Sequence, residues 1–422
     1  MLNNNSAGSI PINTRVRKKS RLLLFLATVG PGLTVMLADT DAGSIITAAQ
    51  SGAQWGYKLL LLQLILIPIL YFVQELTTRI GITTGRGHGE LIKEKFGAKW
   101  AWISVVTLFV AAMGALVTEF SGIAGVSELF GISKWVTVPF AALALILISC
   151  TGKYKRVERI AIIVGLFEVV FIPAAIFAKP DTSALMHALV GKQPFNNSSY
   201  WLLVAANVGA VIMPWMIFYQ QGAVVDKGLT KENIKFSRID TFFGSIVTQI
   251  VMGAVLVLTA ATIGRTNPNT SLDSVQQIGN ALTPFLGSIF GKTFFAIGLT
   301  GAALIAAIVV SLATSWAFGE ILKVPCSLNC SWKEAPAFYS FYSGGIIISA
   351  ALVLVGIPLI SLTIAVEVMN SLLLPIVLGF LLALGWKVLP KPFALKTWEK
   401  VILIFIYILV CSLGLFTVLQ LF

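Results

Sequence analysis

Histidine is nearly absent from this chain of 422 residues, with only His88 and His187 present. An enzyme built on a nucleophile–base pair or on a histidine-rich metal centre is therefore not the expectation. Cysteine is also scarce. Cys150, Cys326, Cys330 and Cys411 include one C-x-x-x-C pair with no histidine near it, which excludes a disulfide framework and a zinc site. Charge is low as well: 11% of residues are Asp, Glu, Lys or Arg, against 57% hydrophobic. No soluble fold carries that balance, so the chain reads as an integral membrane protein with no resident cofactor. The segments are long and apolar without alternation, which favours helices over a β-barrel.

About 20 apolar residues per span give eleven helices, at 22–52 (broken), 57–79, 100–130, 135–151, 158–178, 199–222 (broken), 240–263, 281–314, 337–356, 359–386 and 399–420. The basic residues test this count. If the N-terminus is inside, 24 of the 30 Lys and Arg fall in inner segments and 6 in outer ones. The formal charge of +12 therefore reports topology and not nucleic-acid binding. The expected organisation is a basic cytoplasmic tail (1–21) and a polytopic membrane domain (22–422). The domain divides into a first repeat (22–178), a second repeat (199–386) and an extra helix (399–420) that ends outside. The N-terminal stretch lacks a signal-peptide pattern, so a plasma-membrane location is expected.

The first span carries the strongest signal, ATVGPGLTVMLADTDAGSIITAAQSG from Ala27 to Gly52. A charged residue at mid-membrane costs about 2.5–3.5 kcal/mol on insertion scales, and this span holds both Asp39 and Asp41. Gly43 and Ser44 tolerate irregular backbone, so a broken helix would leave carbonyls at the depth of the carboxylates, as transporters use to hold ions. The bland reading is two acids capping a loop. The sixth span has its own breaker, Pro214 in NVGAVIMPWM, which frees carbonyls near Ala210. Two broken helices five apart are the mark of an inverted-repeat transporter.

At these residues the chain resembles the NRAMP family of divalent metal transporters. Gly30–Met36 (GPGLTVM) with Asp41–Ser44 (DAGS) is similar to the family's GPG and Asp-Pro-Gly-Asn motifs, and Gly209–Met216 (GAVIMPWM) to its Met-Pro-His-Asn motif. Thr77–Gly97 resembles its cytoplasmic connection after helix 2. The resemblance implies an all-α LeuT-like bundle with helices 1 and 6 broken, a lipid-embedded carrier importing Mn2+, Fe2+ or Mg2+. It implies a metal site of Asp41, the carbonyls near Ala42 and Ala210, and Met213. Ser44 takes the asparagine position and reaches the ion through water. Glu367, by an ungapped count back from Leu374-Pro375, takes a glutamine position, either on the ion or paired near a vestibule.

Departures from the family pattern matter equally. Trp215 and Gln220 replace the family's histidines, Met216 replaces an asparagine, and the helix 3 acid pair is reduced to Glu119 with Gly122 in the second place. Proton coupling, which relies on histidine and carboxylate chains, is thus in question. These departures resemble the family branch associated with magnesium. Hard oxygen donors suit Mg2+, whereas the Met213 thioether suits softer ions. Asp39 either attracts the hydrated ion or faces away, since two residues turn about 200° around a helix. Glu119 either lines the pathway or makes a buried hydrogen bond, and Glu168 has the same two readings. His88 and His187 are placed in polar loops. Two other functions stay open: an organic-substrate permease of the amino-acid type on the same fold, and a sensor that transports nothing. The residues say nothing of oligomeric state.

Overall fold

Proline, glycine and aspartate decide where the first and sixth spans divide. In the computed structural model, which describes residues 28–266, 271–272, 274–279, 287–355 and 359–421, the first span is α1 (Pro31–Asp39) followed by α2 (Ala42–Trp55). Pro31 opens α1, where its missing N–H costs nothing. Gly30 before it has φ +145°, and a Cβ there would run into the Glu158 carboxylate and Lys227 Nζ. Only glycine fits that corner. Thr40 and Asp41 leave the helical region, and Asp41, extended at ψ 177°, restarts the helix as its N-cap. The sixth span is α10 (Ser198–Val211) and α11 (Pro214–Asp226), divided at Ile212 and Met213, with Pro214 in the first turn of α11.

The remaining spans are α3 (Leu60–Thr84), α5 (Ala98–Leu129), α6 (Lys134–Ser149), α12 (Ile234–Thr266), α13 (Ser288–Leu322), α14 (Pro336–Val355), α15 (Leu359–Lys387) and α16 (Thr397–Leu421). The fifth span, Tyr154–Phe177, consists of α7 (Tyr154–Gly165), a 3-10 turn (Leu166–Val170) and α8 (Phe171–Phe177). Among the described residues nine helical stretches are long and apolar enough to cross a membrane. The 16-residue α6 and the divided first span bring the total to the expected eleven.

The packing repeats itself between halves. α12 lies against α1 and α2, as α3 lies against α10 and α11; the fifth span lies on α13, as α15 lies on α5. Each half thus places its second helix on the other half's broken one, and the two breaks meet at the centre. Outward faces remain apolar, with Val136 and Phe140 of α6 and Phe405 and Ile408 of α16 exposed as lipid-facing residues are.

Several boundaries differ from the expectation. The eighth span, expected at 281–314, has its helix at Ser288–Leu322; residues 281–286 lie outside those described. Its polar C-terminal part, with Ser315 and Trp316 buried, faces protein where a hydropathy reading assumes lipid. The second span runs past Arg79 to Thr84 because Arg79 is neutralised within the fold, by Glu75 and Glu399 at 2.6 Å each. Two short helices, α4 (His88–Phe96) and α9 (Thr182–Val190), occupy connections expected to be loops. His88 is buried inside α4, with Nδ1 3.0 Å from Gln221 Oε1 and its ring edge-on to Phe218. Burial pushes the imidazole down to about 4, against the Gln221 hydrogen bond, so it stays neutral. The proposed tail 1–21 lies outside the described residues.

Candidate metal site

A helix break in the membrane exposes the N–H groups of one half-helix and the carbonyls of the other. At the first break Asp41 satisfies part of this need: its Oδ1 accepts the Ser44 N–H at 2.6 Å. The capping role weighed against ion binding is therefore real. It occupies Oδ1, while no N–H or O–H donor of the described residues reaches Oδ2, and the Asp41 side chain lies within hydrogen-bonding range of the Glu119 carboxyl. The Ala42 N–H donates to Glu119 Oε2 of α5 at 3.1 Å, and the Glu119 carboxyl faces that of Asp41 within hydrogen-bonding range, a contact that needs a proton on one of them. Gly122, one turn further along α5, lets Ala42 approach, since a Cβ at Gly122 would lie 2.8 Å from the Ala42 methyl.

The second break is tied to the first. Ser44 Oγ donates to the Ala210 carbonyl at 2.9 Å, so the serine bridges the two half-helices directly. Glu367 of α15 reaches the same place: its Oε1 abuts Gly43, and Asp41 Oδ1 lies 3.3 Å from the position a Gly43 Cβ would take. Glu367 Oε2 accepts from Asn370 Nδ2 at 3.0 Å, and Oε1 has no partner among the described residues. At the sixth-span break the Trp215 indole N–H donates to the Met213 sulfur at 3.1 Å. Asp41, Ser44, Met213, Trp215, Glu119 and Glu367 are all fully buried.

Two candidates are placed elsewhere. Gln220 lies further along α11, its Nε2 donating to Thr78 Oγ1 at 2.7 Å, and so belongs to the α3–α11 contact. Asp39 reaches α12: its Oδ2 accepts from Thr248 Oγ1 at 3.3 Å. Three contributors had little signal in the sequence. Asn370 stands one turn from Glu367, Thr248 is an ordinary helix threonine, and Glu168 is a lone acid in an apolar run. Glu168 is fully buried, faces the Thr40 hydroxyl and lies within electrostatic range of Asp39 and Asp41.

Five carboxylates therefore surround the first break: Asp39, Asp41, Glu119, Glu168 and Glu367. Among the described residues, ion pairs involve Glu75, Glu90, Glu94, Glu158 and Glu399, and none of the five at the break. No group of three His, Cys, Asp or Glu side chains fit to hold a metal occurs among the described residues. Any ion would rely on two carboxylates with carbonyl, hydroxyl or thioether donors.

A helical inverted repeat with unwound first and sixth spans, its acids gathered at the crossing, defines an integral membrane protein of the LeuT fold. The fold is shared with a manganese transporter from Eremococcus coleocola, at TM-score 0.79 and 18% identity over 96% of this chain and 89% of that one. MhsT in complex with L-phenylalanine superposes at TM-score 0.62 with 16% identity, covering 96% and 99%. The family profile described as natural resistance-associated macrophage protein-like matches residues 32–420, and the chain belongs to this NRAMP family. Relatives include a divalent metal cation transporter MntH from Verminephrobacter eiseniae, 26% identical over 388 residues, 87% of this chain and 82% of that one. Another MntH, from Caldanaerobacter subterraneus subsp. tengcongensis, is 28% identical over 286 residues, covering 65% and 67%.

Proposed function

We propose that this protein carries a divalent metal cation across the membrane by alternating access, with the ion held between the two breaks. The ligands are Asp41 Oδ2, Glu367 Oε1, the Ala42 and Ala210 carbonyls and the Met213 sulfur, with Ser44 joining the half-helices and Glu119 adding charge beside Asp41. One observation carries this reading: two buried carboxylates flanking Gly43, on different helices, each keep an oxygen that no N–H or O–H donor of the described residues reaches, Asp41 Oδ2 and Glu367 Oε1. Buried charge of one sign needs a counter-ion, and a mobile cation supplies it. Family membership and relatives named as divalent metal cation transporters support a carrier and not an enzyme. The same charge argues against an amino-acid substrate, whose carboxylate it would repel.

For the ion, the oxygen donors favour Mg2+ or Mn2+. The Trp215 N–H draws on a Met213 lone pair, which makes the sulfur a poorer ligand for soft metals. Trp215 and Gln220, at the family's histidine positions, carry no titratable group, which supports transport without proton symport. The basic end of the bundle, with α4 and the α11–α12 connection, faces the cytoplasm of a plasma-membrane protein.

The test is flux into proteoliposomes, with Mn2+ and Mg2+ compared and internal pH followed. Asp41→Ala should cut entry of either ion by more than about 100-fold, beyond the effect of removing an outer-shell partner. Entry of both ions without acidification fits the reading, and Mn2+ entry with acidification restores a proton symporter. Flux indifferent to Asp41→Ala removes the metal assignment and returns the sensor or organic-substrate reading.

A further inference from the structure

The metal reading employs Asp41, Glu119 and Glu367 and leaves Asp39 and Glu168 unused. They come from different elements and are linked through two hydroxyls, Asp39 at Thr248 and Glu168 at Thr40. Asp39 is the last residue of α1, 1% exposed, and its Oδ1 has no partner among the described residues. Glu168 sits in the 3-10 turn that interrupts the fifth span, fully buried, its carboxyl reaching the Thr40 hydroxyl and meeting no other hydrogen-bond donor among the described residues. Between them, the Thr40 and Thr248 hydroxyls lie 2.7 Å apart.

Helix polarity separates this cluster from the first site. Asp41 stands at the N-terminus of α2, where exposed N–H groups help to hold a carboxylate. Asp39 and Thr40 stand at the C-terminus of α1, where the free carbonyls add negative potential to that of the acids. Only the Thr248 and Thr40 hydroxyls meet Asp39 and Glu168, and no ion pair of the described residues reaches either. The available donors are all oxygen: two carboxylates, two hydroxyls and helix-end carbonyls. Oxygen-only donors with two negative charges suit a hard divalent cation.

We propose that Asp39, Thr40, Glu168 and Thr248 form a second cation position, distinct from the Asp41 site, that takes a hard divalent ion such as Mg2+ or Mn2+. It extends the cation-carrier reading but shares no ligand with it. The bundle then holds two ions on opposite sides of the Thr40–Asp41 corner, one under each half-helix.

The experiment counts Mn2+ bound to the full-length protein in nanodiscs, from the loss of the free-ion electron paramagnetic resonance signal. The expected stoichiometry is two per wild-type chain, one for Glu168→Gln and one for Asp41→Ala. A single ion in the wild type, or two retained in Glu168→Gln, overturns the proposal. If Asp41→Ala keeps two while Glu168→Gln keeps one, the second position stands and the Asp41 assignment fails. Thr248→Val should weaken the second ion by roughly tenfold, and unchanged binding counts against the proposal. Folding is controlled in the same preparation: without metal, Glu168→Gln should melt at or above wild type, because its carboxyl takes part in no ion pair of the described residues. A lower melting temperature identifies Glu168 as structural and overturns the site.

Discussion

Buried acids occur in two regions of this protein, and they are treated in opposite ways. At the basic end, Glu75 and Glu399 clamp Arg79 at 2.6 Å each, and Arg238 adds a contact to Glu75 at 2.6 Å. Lys227 joins Glu158 at 2.9 Å and the Val29 carbonyl at 2.8 Å. Asp240 takes the N–H groups of Gly30, Gly32 and Leu33 at the start of α1. At the breaks, five carboxylates have hydroxyls or amides, and no cation among the described residues. The basic-end acids hold helix ends together. Those at the breaks keep oxygens available for a partner that arrives and leaves.

This contrast predicts opposite signs for removing one charge in each region. Arg79→Met leaves Glu75 with Arg238 alone and Glu399 with no ion pair, their side chains 5% and 10% exposed. It should cost about 3–5 kcal/mol, the usual loss when a buried pair is broken from one side. Chemical denaturation would reveal it, while Mn2+ affinity of the folded fraction stays at the wild-type value. Glu367→Gln should do the reverse. Its Oε1 has no partner to lose, so the metal-free protein should melt at or above the wild-type temperature, with Mn2+ binding weakened by roughly tenfold through the lost ligand charge. A destabilised Glu367→Gln would show that this carboxylate belongs with the structural acids.

Legibility from sequence follows the range of the interaction involved. The breaks were readable because glycine, proline and paired acids stand out inside apolar runs, and their effect on the backbone is local. Glu367 was reachable only by counting from Pro375 under the family resemblance; its approach to Gly43 depends on how α15 packs, which no local pattern encodes. Glu168 was visible as an anomaly without a direction, since a lone acid on one helix does not say which neighbour it faces. His88 looked like a loop histidine because α4 folds back into the bundle, and burial there comes from Phe218 and Gln221, more than a hundred residues away. The end of α3 was placed too early for a related reason: Arg79 reads as a loop cation until Glu399, 320 positions along, is beside it.

The smallest expected effect concerns the neutral donor at the breaks. Trp215→Phe keeps an aromatic ring but removes the N–H that points at the Met213 sulfur from 3.1 Å. A hydrogen bond of this kind contributes on the order of 1 kcal/mol, and releasing it returns that lone pair to the ion. Soft cations gain from this and hard ones do not. Cd2+ should therefore compete with Mn2+ uptake about fivefold better in the variant, the factor that roughly 1 kcal/mol gives. Competition by Mg2+ should stay as it is in the wild type. If Cd2+ gains nothing, the Met213 sulfur does not touch the ion, and the transported metal is held between the two half-helices by oxygen alone.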